Sequence, residues 1–370
     1  MDVLASVIIS SFNTPRDYIR SSVLSILDQT YKNLELIIVD DCSDKITVES
    51  CLSDINDPRI KMIENKINLG LAASLNKAIE ASKGKYIIRM DSDDVSMQSR
   101  IERQIEYMEN NPSCDIMSGR TCLFDEQHMW MGSSFYGDTE HTCVELFFDS
   151  TLLHPSVIIR KAFIEKNNLM YNPKCRKAQD YYLWVSSFLK GADIRSVSEY
   201  YVFYRQHSGA ASFKDRSAQL SVVSELHDML LDRIGIYPNP DEKKLHEIFC
   251  NPYDFDLYDW KLELKWAKKI IAANKAIPLY SNKAFTYGVT KRYLSGLDIN
   301  RNAKRLSKRS FVMAVLVLCS KPSMFFSLLR LIVNKYTQKK SANAEYEYYI
   351  KREWEYADEK YGLLDSKGRG

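Results

Sequence analysis

Residues 86–94 read Tyr-Ile-Ile-Arg-Met-Asp-Ser-Asp-Asp, which predicts a short strand over Tyr86–Met90 that runs directly into an acidic turn. Three comparable apolar runs precede it, at Val3–Ile9, Leu34–Val39 and Arg59–Ile63. Residues 16–29 and 69–82, between these runs, carry apolar side chains at helical spacing. The alternation predicts an α/β fold in which a mixed, mainly parallel sheet is covered by helices on both faces.

In such a sheet, ligands bind beyond the carboxyl ends of the strands. The polar groups that follow the first, second and fourth predicted strands are Ser10–Asn13, Asp40–Asp41 and Asp91–Asp94. Asp91 and Asp93, one residue apart, can point toward a common position, and carboxylate oxygens are ligands that Mg²⁺ and Mn²⁺ prefer. A metal held there would neutralise a departing diphosphate. The alternative is a solvated acidic turn that caps a helix beginning near Ser99.

The position of the first glycine, Gly70, excludes two common nucleotide sites. A dinucleotide-binding turn and a P-loop both need glycines directly after the first strand, because backbone N–H groups must approach the phosphates closely. A nucleotide diphosphate bound to this sheet would therefore need another source of positive charge. The acidic turn can supply that charge only through a metal ion.

Several motifs, taken together, resemble the family 2 glycosyltransferases. They are Val7–Asn13, Ser25–Tyr31, Glu35–Ser43, Asn68–Ala72, Gly84–Ile87, Asp91–Asp94, Arg100–Glu102, His154–Ser156 and Gln179–Tyr181. They follow the order and spacing of that family over about residues 4–210. The resemblance implies a GT-A fold, a nucleoside diphosphate sugar donor that is usually UDP-linked, and an inverting single displacement. It implies an enzyme, a hexosyl- or N-acetylhexosaminyltransferase.

The resemblance also assigns residues to the nucleotide sugar. Ser10 and Phe12 would line the nucleotide pocket, and Asp41 would hydrogen-bond the base. Asn68, in the motif that follows the third strand, joins this binding set. Independently of the resemblance, we expect His207 and Arg205 either to reach the diphosphate or the metal from the opposite wall or to lie on a surface loop.

The catalytic assignments concern the acidic turn and a later aspartate. Asp91 and Ser92 would lie against the ribose and diphosphate, and Asp93 would bind the divalent ion, Mn²⁺ or Mg²⁺. Asp180 matches the family's general base, although it could instead only cap the helix that follows it. Gln179 departs from the pattern, because the family usually has a glutamate at this position.

The bulk properties limit the partners and the compartment. The net charge of the 370 residues is only +3, which gives no general case for nucleic acid binding. Eight scattered cysteines without a C-x-x-C pair indicate reduced thiols, and no secretory signal is recognisable, so we expect a cytoplasmic protein. We expect two regions: a catalytic domain over residues 1–215 and a helical C-terminal region over 216–370.

Residues 301–340 are unusually basic, with ten Lys or Arg and no Asp or Glu. Two apolar runs within them, Phe311–Cys319 and Met324–Val333, are too short to span a bilayer, which takes about 20 residues. The pattern predicts a basic amphipathic helix pair lying on an anionic membrane surface, on the inner face of the plasma membrane. The alternative is a helix pair packed in the core with a solvated basic face.

These observations favour an enzyme that transfers a sugar to an acceptor hydroxyl in bacterial surface glycan synthesis, such as O-antigen, capsule or exopolysaccharide. The acceptor would be a glycan or a lipid-linked glycan. The competing hypothesis is a protein that retains the fold without turnover, either a nucleotide-sugar-binding protein or a membrane-associated scaffold. Retention of Asp91, Asp93 and Asp180 argues against that alternative.

Overall fold

The computed structural model describes residues 3–125, 129–131, 139–175, 177–207, 216–251, 259–319, 324–326 and 344–363. Its contacts divide the chain into two compact units. The first comprises Met1–Thr142, Ser150–Val222 and Glu345–Gly370, and the second comprises Cys143–Asp149 and Val223–Ala344. The division expected from the sequence placed everything after residue 215 in one helical region. The contacts instead assign the last part of the chain to the first unit.

The first unit contains a nine-stranded sheet. Its strands are β1 (Ala5–Ser11), β2 (Leu34–Asp40), β3 (Ile60–Glu64), β4 (Tyr86–Arg89), β5 (Val95–Ser96), β6 (Cys114–Phe124), β7 (Met129–Met131), β8 (Ile158–Arg160) and β9 (Asp193–Arg205). Their order is β3-β2-β1-β4-β8-β6-β9-β5, with β7 paired to β6. The first four strands in this order are parallel, whereas β8 is antiparallel to both of its neighbours. The prediction of a mixed α/β sheet is confirmed.

Helices cover both faces of the sheet. The described helices are α1 (Arg16–Leu27), α2 (Val48–Leu52), α3 (Leu71–Ala81), α4 (Arg100–Asn110), α5 (Thr139–Glu145), α6 (Lys161–Lys166), α7 (Gln179–Leu189), α8 (Arg216–Arg233), α9 (Pro240–Cys250), α10 (Trp260–Ala276), α11 (Asn282–Asn302), α12 (Lys308–Cys319) and α13 (Ala344–Tyr361). Apolar side chains of α1, α2 and α4 form one core with alternate residues of β1, β2 and β4. Helix α3 contacts β1 and β2 but lies outside that core, so it covers the opposite face.

The parallel register brings the ends of three strands to one edge. Ser11 of β1 pairs with Asp40 of β2, and Ile8 of β1 pairs with Arg89 of β4. The polar residues that follow these strands therefore lie along the same edge, as the sequence predicts. Gly70, which begins α3 beside this edge, has a φ of +84°, a conformation that favours glycine.

Helix α13 packs on the sheet of the first unit. The ring of Trp354 lies 5.2 Å from that of Phe124 in β6 and 5.1 Å from that of Phe203 in β9. The Glu353 carboxylate accepts a hydrogen bond of 2.8 Å from the backbone N–H of Gln98. The last described helix therefore holds β5 and the residues after it, directly beyond the acidic turn.

The second unit is helical. Contacts among α9, α10 and α11 form it, with an aromatic centre around Phe147, whose ring meets that of Phe285 at 5.1 Å. None of the helices in the described residues is both long and apolar enough to cross a bilayer. The basic segment 301–340 is only partly described: α12 lies within it, and residues 320–323 and 327–340 lie outside the described ranges.

We predict that Trp354→Ala destabilises the first unit by about 3 to 5 kcal/mol, because it removes a buried indole from between two aromatic rings. Urea unfolding would measure the loss. Tyr348→Ala on the same helix is the matched control, since Tyr348 is 62% exposed and should change stability by no more than about 0.5 kcal/mol. Equal stability of the two variants would contradict the docking of α13.

Candidate active site

The acidic turn between β4 and β5 gathers three carboxylates. Oxygen atoms of Asp91, Asp93 and Asp94 all lie within 4.8 Å of one another, as the spacing of the motif leads us to expect. Asp91 and Asp93 are partly exposed, whereas Asp94 is buried. The acidic turn leads directly into β5, which pairs antiparallel with β9, with Val95 opposite Phe203. This pairing fixes the C-terminal end of the turn.

The end of β9 supports this turn through Arg205 and His207. The backbone N–H of Arg205 donates to Asp94 Oδ1 at 2.9 Å, and its Nε donates to the Asp93 carbonyl at 2.8 Å. The Arg205 guanidinium lies 4.1 Å from the centre of the Tyr18 ring. His207 Nε2 lies 2.9 Å from Asp93 Oδ2, so the predicted site residues His207 and Asp93 do come together.

The donor set of the turn fits a divalent cation. Among the described residues, Asp94 Oδ2 is buried without a hydrogen-bond partner. Burial raises the pKa of Asp94 well above its usual value, and the charges of Asp93 and Asp91 raise it further. A buried carboxylate oxygen that has no protein donor and two acidic neighbours lacks a positive partner. Mg²⁺ or Mn²⁺ would provide one, and both prefer such oxygen ligands.

Asp41, which is predicted to bind the base, holds the loop between β3 and α3 in place. Its oxygens accept hydrogen bonds from the backbone N–H groups of Leu69 and Gly70, both at 2.8 Å, and from Asn65 Nδ2 at 2.7 Å. Asn68 Nδ2 donates to the Asp41 carbonyl at 3.2 Å. Asp41 is buried, and these three donors use most of its roughly four lone-pair positions, so its contact with a base stays a prediction.

The other predicted nucleotide residues lie at the ends of β1 and β4. Ser10 is partly exposed at the end of β1, and Phe12 just beyond it is 52% exposed, which leaves its ring accessible. Ser92 Oγ lies 2.8 Å from Thr14 Oγ1 and so connects the loop after β1 to the acidic turn. These residues and Asp41 border the same edge of the sheet as the acidic turn.

Asp180 lies in the first turn of α7, which follows Ala178 in a left-handed conformation with φ of 54°. Burial raises the pKa of Asp180, while backbone N–H groups at the helix start and the charge of Arg89 oppose that rise. Asp91 adds to the rise, so the two aspartates lie close enough to interact electrostatically. A carboxylate with a raised pKa accepts a proton more readily, which suits a general base.

Two further side chains at this site were not singled out from the sequence. Arg89 Nη2 lies 2.5 Å from Asp91 Oδ1, and the Tyr171 hydroxyl lies 2.8 Å from His154 Nε2. The signal for Arg89 was available, because a charged residue within an apolar strand is unusual. Tyr171 has no comparable local signal.

A second group of metal-ligand side chains lies in the second unit, where ligand atoms of His227, His246 and Cys250 come within 4.8 Å of one another. The spacing of these residues did not predict this grouping. Trp266 Nε1–H donates to His246 Nδ1 at 3.1 Å, and burial lowers the pKa of His246 well below its usual value. The His246 proton therefore lies on Nε2, 3.5 Å from Cys250 Sγ. That ring edge is a hydrogen-bond donor, which indicates a structural role.

Comparisons with known proteins point to one family. The sequence model of the family described as Glycosyl transferase family 2 matches residues 6–175. An uncharacterized glycosyltransferase of Methanocaldococcus jannaschii is 31% identical over 55% of this chain and 70% of its own length. UDP-Glc:alpha-D-GlcNAc-diphosphoundecaprenol beta-1,3-glucosyltransferase WfaP of Escherichia coli is 30% identical over 60% of this chain and 86% of its own.

A solved structure shows the same fold. The crystal structure of S. aureus TarS 1-349 in complex with UDP-GlcNAc superimposes with a TM-score of 0.55 and 17% sequence identity. The match covers 79% of this chain and 88% of that one. The expected GT-A fold class is confirmed.

Proposed function

Because the chain belongs to Glycosyl transferase family 2 and is a glycosyltransferase, we propose that it transfers a sugar from a UDP-linked donor to an acceptor hydroxyl, with inversion. The acceptor we propose is a growing bacterial surface glycan or its lipid-linked precursor. The name of the Escherichia coli relative supports both parts, since it specifies a UDP-glucose donor and a diphosphoundecaprenol-linked acceptor.

One observation carries the proposal: a cluster of three carboxylates and a separate, partly buried aspartate, Asp180, lie close enough to interact electrostatically. Two acidic groups with different surroundings can perform different tasks. Asp93, with Asp91 and Asp94 beside it, would hold a divalent ion next to the donor diphosphate. Asp180 would act on the acceptor.

The reaction breaks the bond between the anomeric carbon and the diphosphate oxygen, and the electron pair leaves with UDP. A bound divalent ion supplies Lewis-acid neutralisation of the charge on that diphosphate. The acceptor oxygen attacks the anomeric carbon from the opposite side, and its proton passes to the Asp180 carboxylate. We propose that Ser10, Phe12, Asp41 and Asn68 bind the nucleoside. Asp91 and Ser92 would contact the ribose and diphosphate, and His207 the diphosphate or the metal.

We predict that Mn²⁺ increases the affinity for UDP by at least about tenfold, or 1.4 kcal/mol, and that Asp93→Ala abolishes this increase. Titration calorimetry with and without MnCl₂ measures both. Asp54→Ala is the control, because the Asp54 side chain is 60% exposed and pairs with Arg20. A screen of UDP-sugars for Mn²⁺-dependent UDP release then identifies the donor. UDP binding that is indifferent to Mn²⁺ would contradict the proposal.

We predict that Asp180→Asn lowers kcat by about 10² to 10⁴, because the amide cannot take the acceptor proton. UDP affinity should stay within about twofold of the wild-type value, since Asp180 is not assigned to the nucleotide. Steady-state kinetics and calorimetry test the two halves. Ser186→Ala, farther along α7, should leave both unchanged. If Asp180→Asn keeps near wild-type turnover, Asp180 is not the general base and only caps the helix.

A lipid-linked acceptor requires access to a membrane surface, and we propose that the basic segment 301–340 provides it. Lys304 and Lys308, in the described part of the segment, are exposed, as are Val312 and Met313 of α12. Cationic and apolar side chains exposed together are suited to the boundary between lipid headgroups and acyl chains. The enzyme would then work in the cytoplasm, at the inner face of the plasma membrane.

We predict that changing Lys304 and Lys308 together to Glu lowers sedimentation with phosphatidylglycerol vesicles at low salt by at least about tenfold. Each basic side chain near an anionic surface contributes about 1 kcal/mol. Lys265 and Lys275, exposed elsewhere in the same unit, are changed to Glu as the control with equal net charge. Truncation is unsuitable because it removes α13 from the first unit. Equal sedimentation of the two variants would contradict a role of this segment.

A further inference from the structure

Arg89 is a buried cation in an otherwise apolar strand. Its side chain is only 2% exposed, and its neighbours Ile88 and Met90 belong to the core of the first unit. An ion pair joins its Nη2 to Asp91 Oδ1 at 2.5 Å. Within the described part of the chain, Nε and Nη1 are buried and make no hydrogen bond. Native proteins rarely leave two donors of one side chain unsatisfied in this way.

Such an arrangement contributes little to stability. A buried guanidinium loses its hydration, and one ion pair seldom repays that loss, so apolar replacements of similar size are often neutral or stabilising. Unsatisfied buried N–H groups add a further cost, because their lost hydration is not replaced. The reason for an arginine at position 89 therefore lies outside the folding of the sheet.

The positive charge of Arg89 lies next to the acidic turn, through its ion pair with Asp91. Besides its ion pair with Asp91, the guanidinium lies close enough to Asp180 and His154 to interact with both electrostatically. The hydroxyl of Tyr171 is hydrogen-bonded to His154. Asn76 holds Tyr171 in place, because its side-chain amide makes two hydrogen bonds of 2.8 and 2.9 Å to the Tyr171 backbone. Arg89 thus lies near the acidic turn, near the hydrogen-bonded pair of His154 and Tyr171, and near Asp180 of α7.

We propose that Arg89 is a positioning residue for donor binding, which orients the Asp91 carboxylate toward the ribose and diphosphate of the sugar nucleotide. This inference rests on the proposed function. The guanidinium pairs with one carboxylate oxygen of Asp91, which leaves the other oxygen free to contact the sugar nucleotide. It also offsets part of the repulsion among the three carboxylates before the donor arrives.

The test compares the full chain with Arg89→Met, Arg89→Lys and the control Arg160→Met. Arg160 pairs with Tyr86 at the opposite end of β4 and donates to the carbonyls of Cys114 and Met108. UDP affinity in the presence of Mn²⁺ is measured by calorimetry, and kcat and KM are measured with the UDP-sugar found in the screen. Thermal unfolding reports stability separately.

We expect Arg89→Met to weaken UDP binding and raise the donor KM by at least about tenfold, with a melting temperature within about 4 °C of wild type. Arg89→Lys keeps the charge without the planar fork and should recover UDP affinity to within about threefold of wild type. Arg160→Met should melt earlier and bind UDP normally. Wild-type affinity and KM in Arg89→Met would overturn the role.

A double-mutant cycle keeps the test decisive if Arg89→Met fails to fold. The cycle uses Arg89→Gln, which removes the charge but keeps a polar side chain and should by itself weaken UDP binding. Because Arg89 acts through Asp91, adding Arg89→Gln to Asp91→Asn should cause no further loss of UDP affinity, whereas independent roles would give additive losses. Additive losses would overturn the inference. If the wild-type protein binds no UDP, the proposed function is contradicted, and the role of Arg89 with it. If the wild-type protein binds UDP normally but the variants do not behave as expected, only the role of Arg89 is contradicted.

Discussion

Three carboxylates within 4.8 Å of one another repel, and the first unit is arranged to hold them together. The charge of one carboxylate opposes the ionisation of the next, most strongly at the buried Asp94. The counterweights come from separate strands. Arg89 of β4 pairs with Asp91, while Arg205 at the end of β9 donates its backbone N–H to Asp94. The acidic turn therefore depends on both the parallel and the antiparallel part of the sheet.

The same dependence extends to the last helix. β5 has only two residues, Val95 and Ser96, and a strand of that length has little stability of its own. Helix α13 covers this region through Trp354 and bonds the backbone of Gln98 through Glu353. Residues some 250 positions apart thus secure the end of the acidic turn. The C-terminal end of the chain consequently bears on the geometry of the site, although it lies far outside the matched family region.

The parallel strands could be predicted because each is a run of apolar residues that ends in polar ones. β6, with eleven residues, escaped prediction because Gly119 and its bulged pairing with β9 break the pattern of alternation. At the site, residue types at strand ends were visible, but their partners were not. The adjacent carboxylates of Asp40 and Asp41 illustrate this. Asp40 accepts hydrogen bonds from the loop after β2, and Asp41 from the loop before α3, a division that only the tertiary structure makes.

The burial of Asp94 links cation binding at the acidic turn to protonation of the same side chain. Its Oδ1 is occupied by the Arg205 backbone, and its Oδ2 has no partner among the described residues, so an ionised Asp94 would carry a buried charge with half of its hydrogen bonding missing. Burial and the neighbouring Asp93 therefore favour the protonated acid when no cation is present. A cation bound at the turn would instead favour the ionised form of Asp94. Acid and cation thus compete for one oxygen, and the competition follows from where the chain buries Asp94 rather than from any property of the ion.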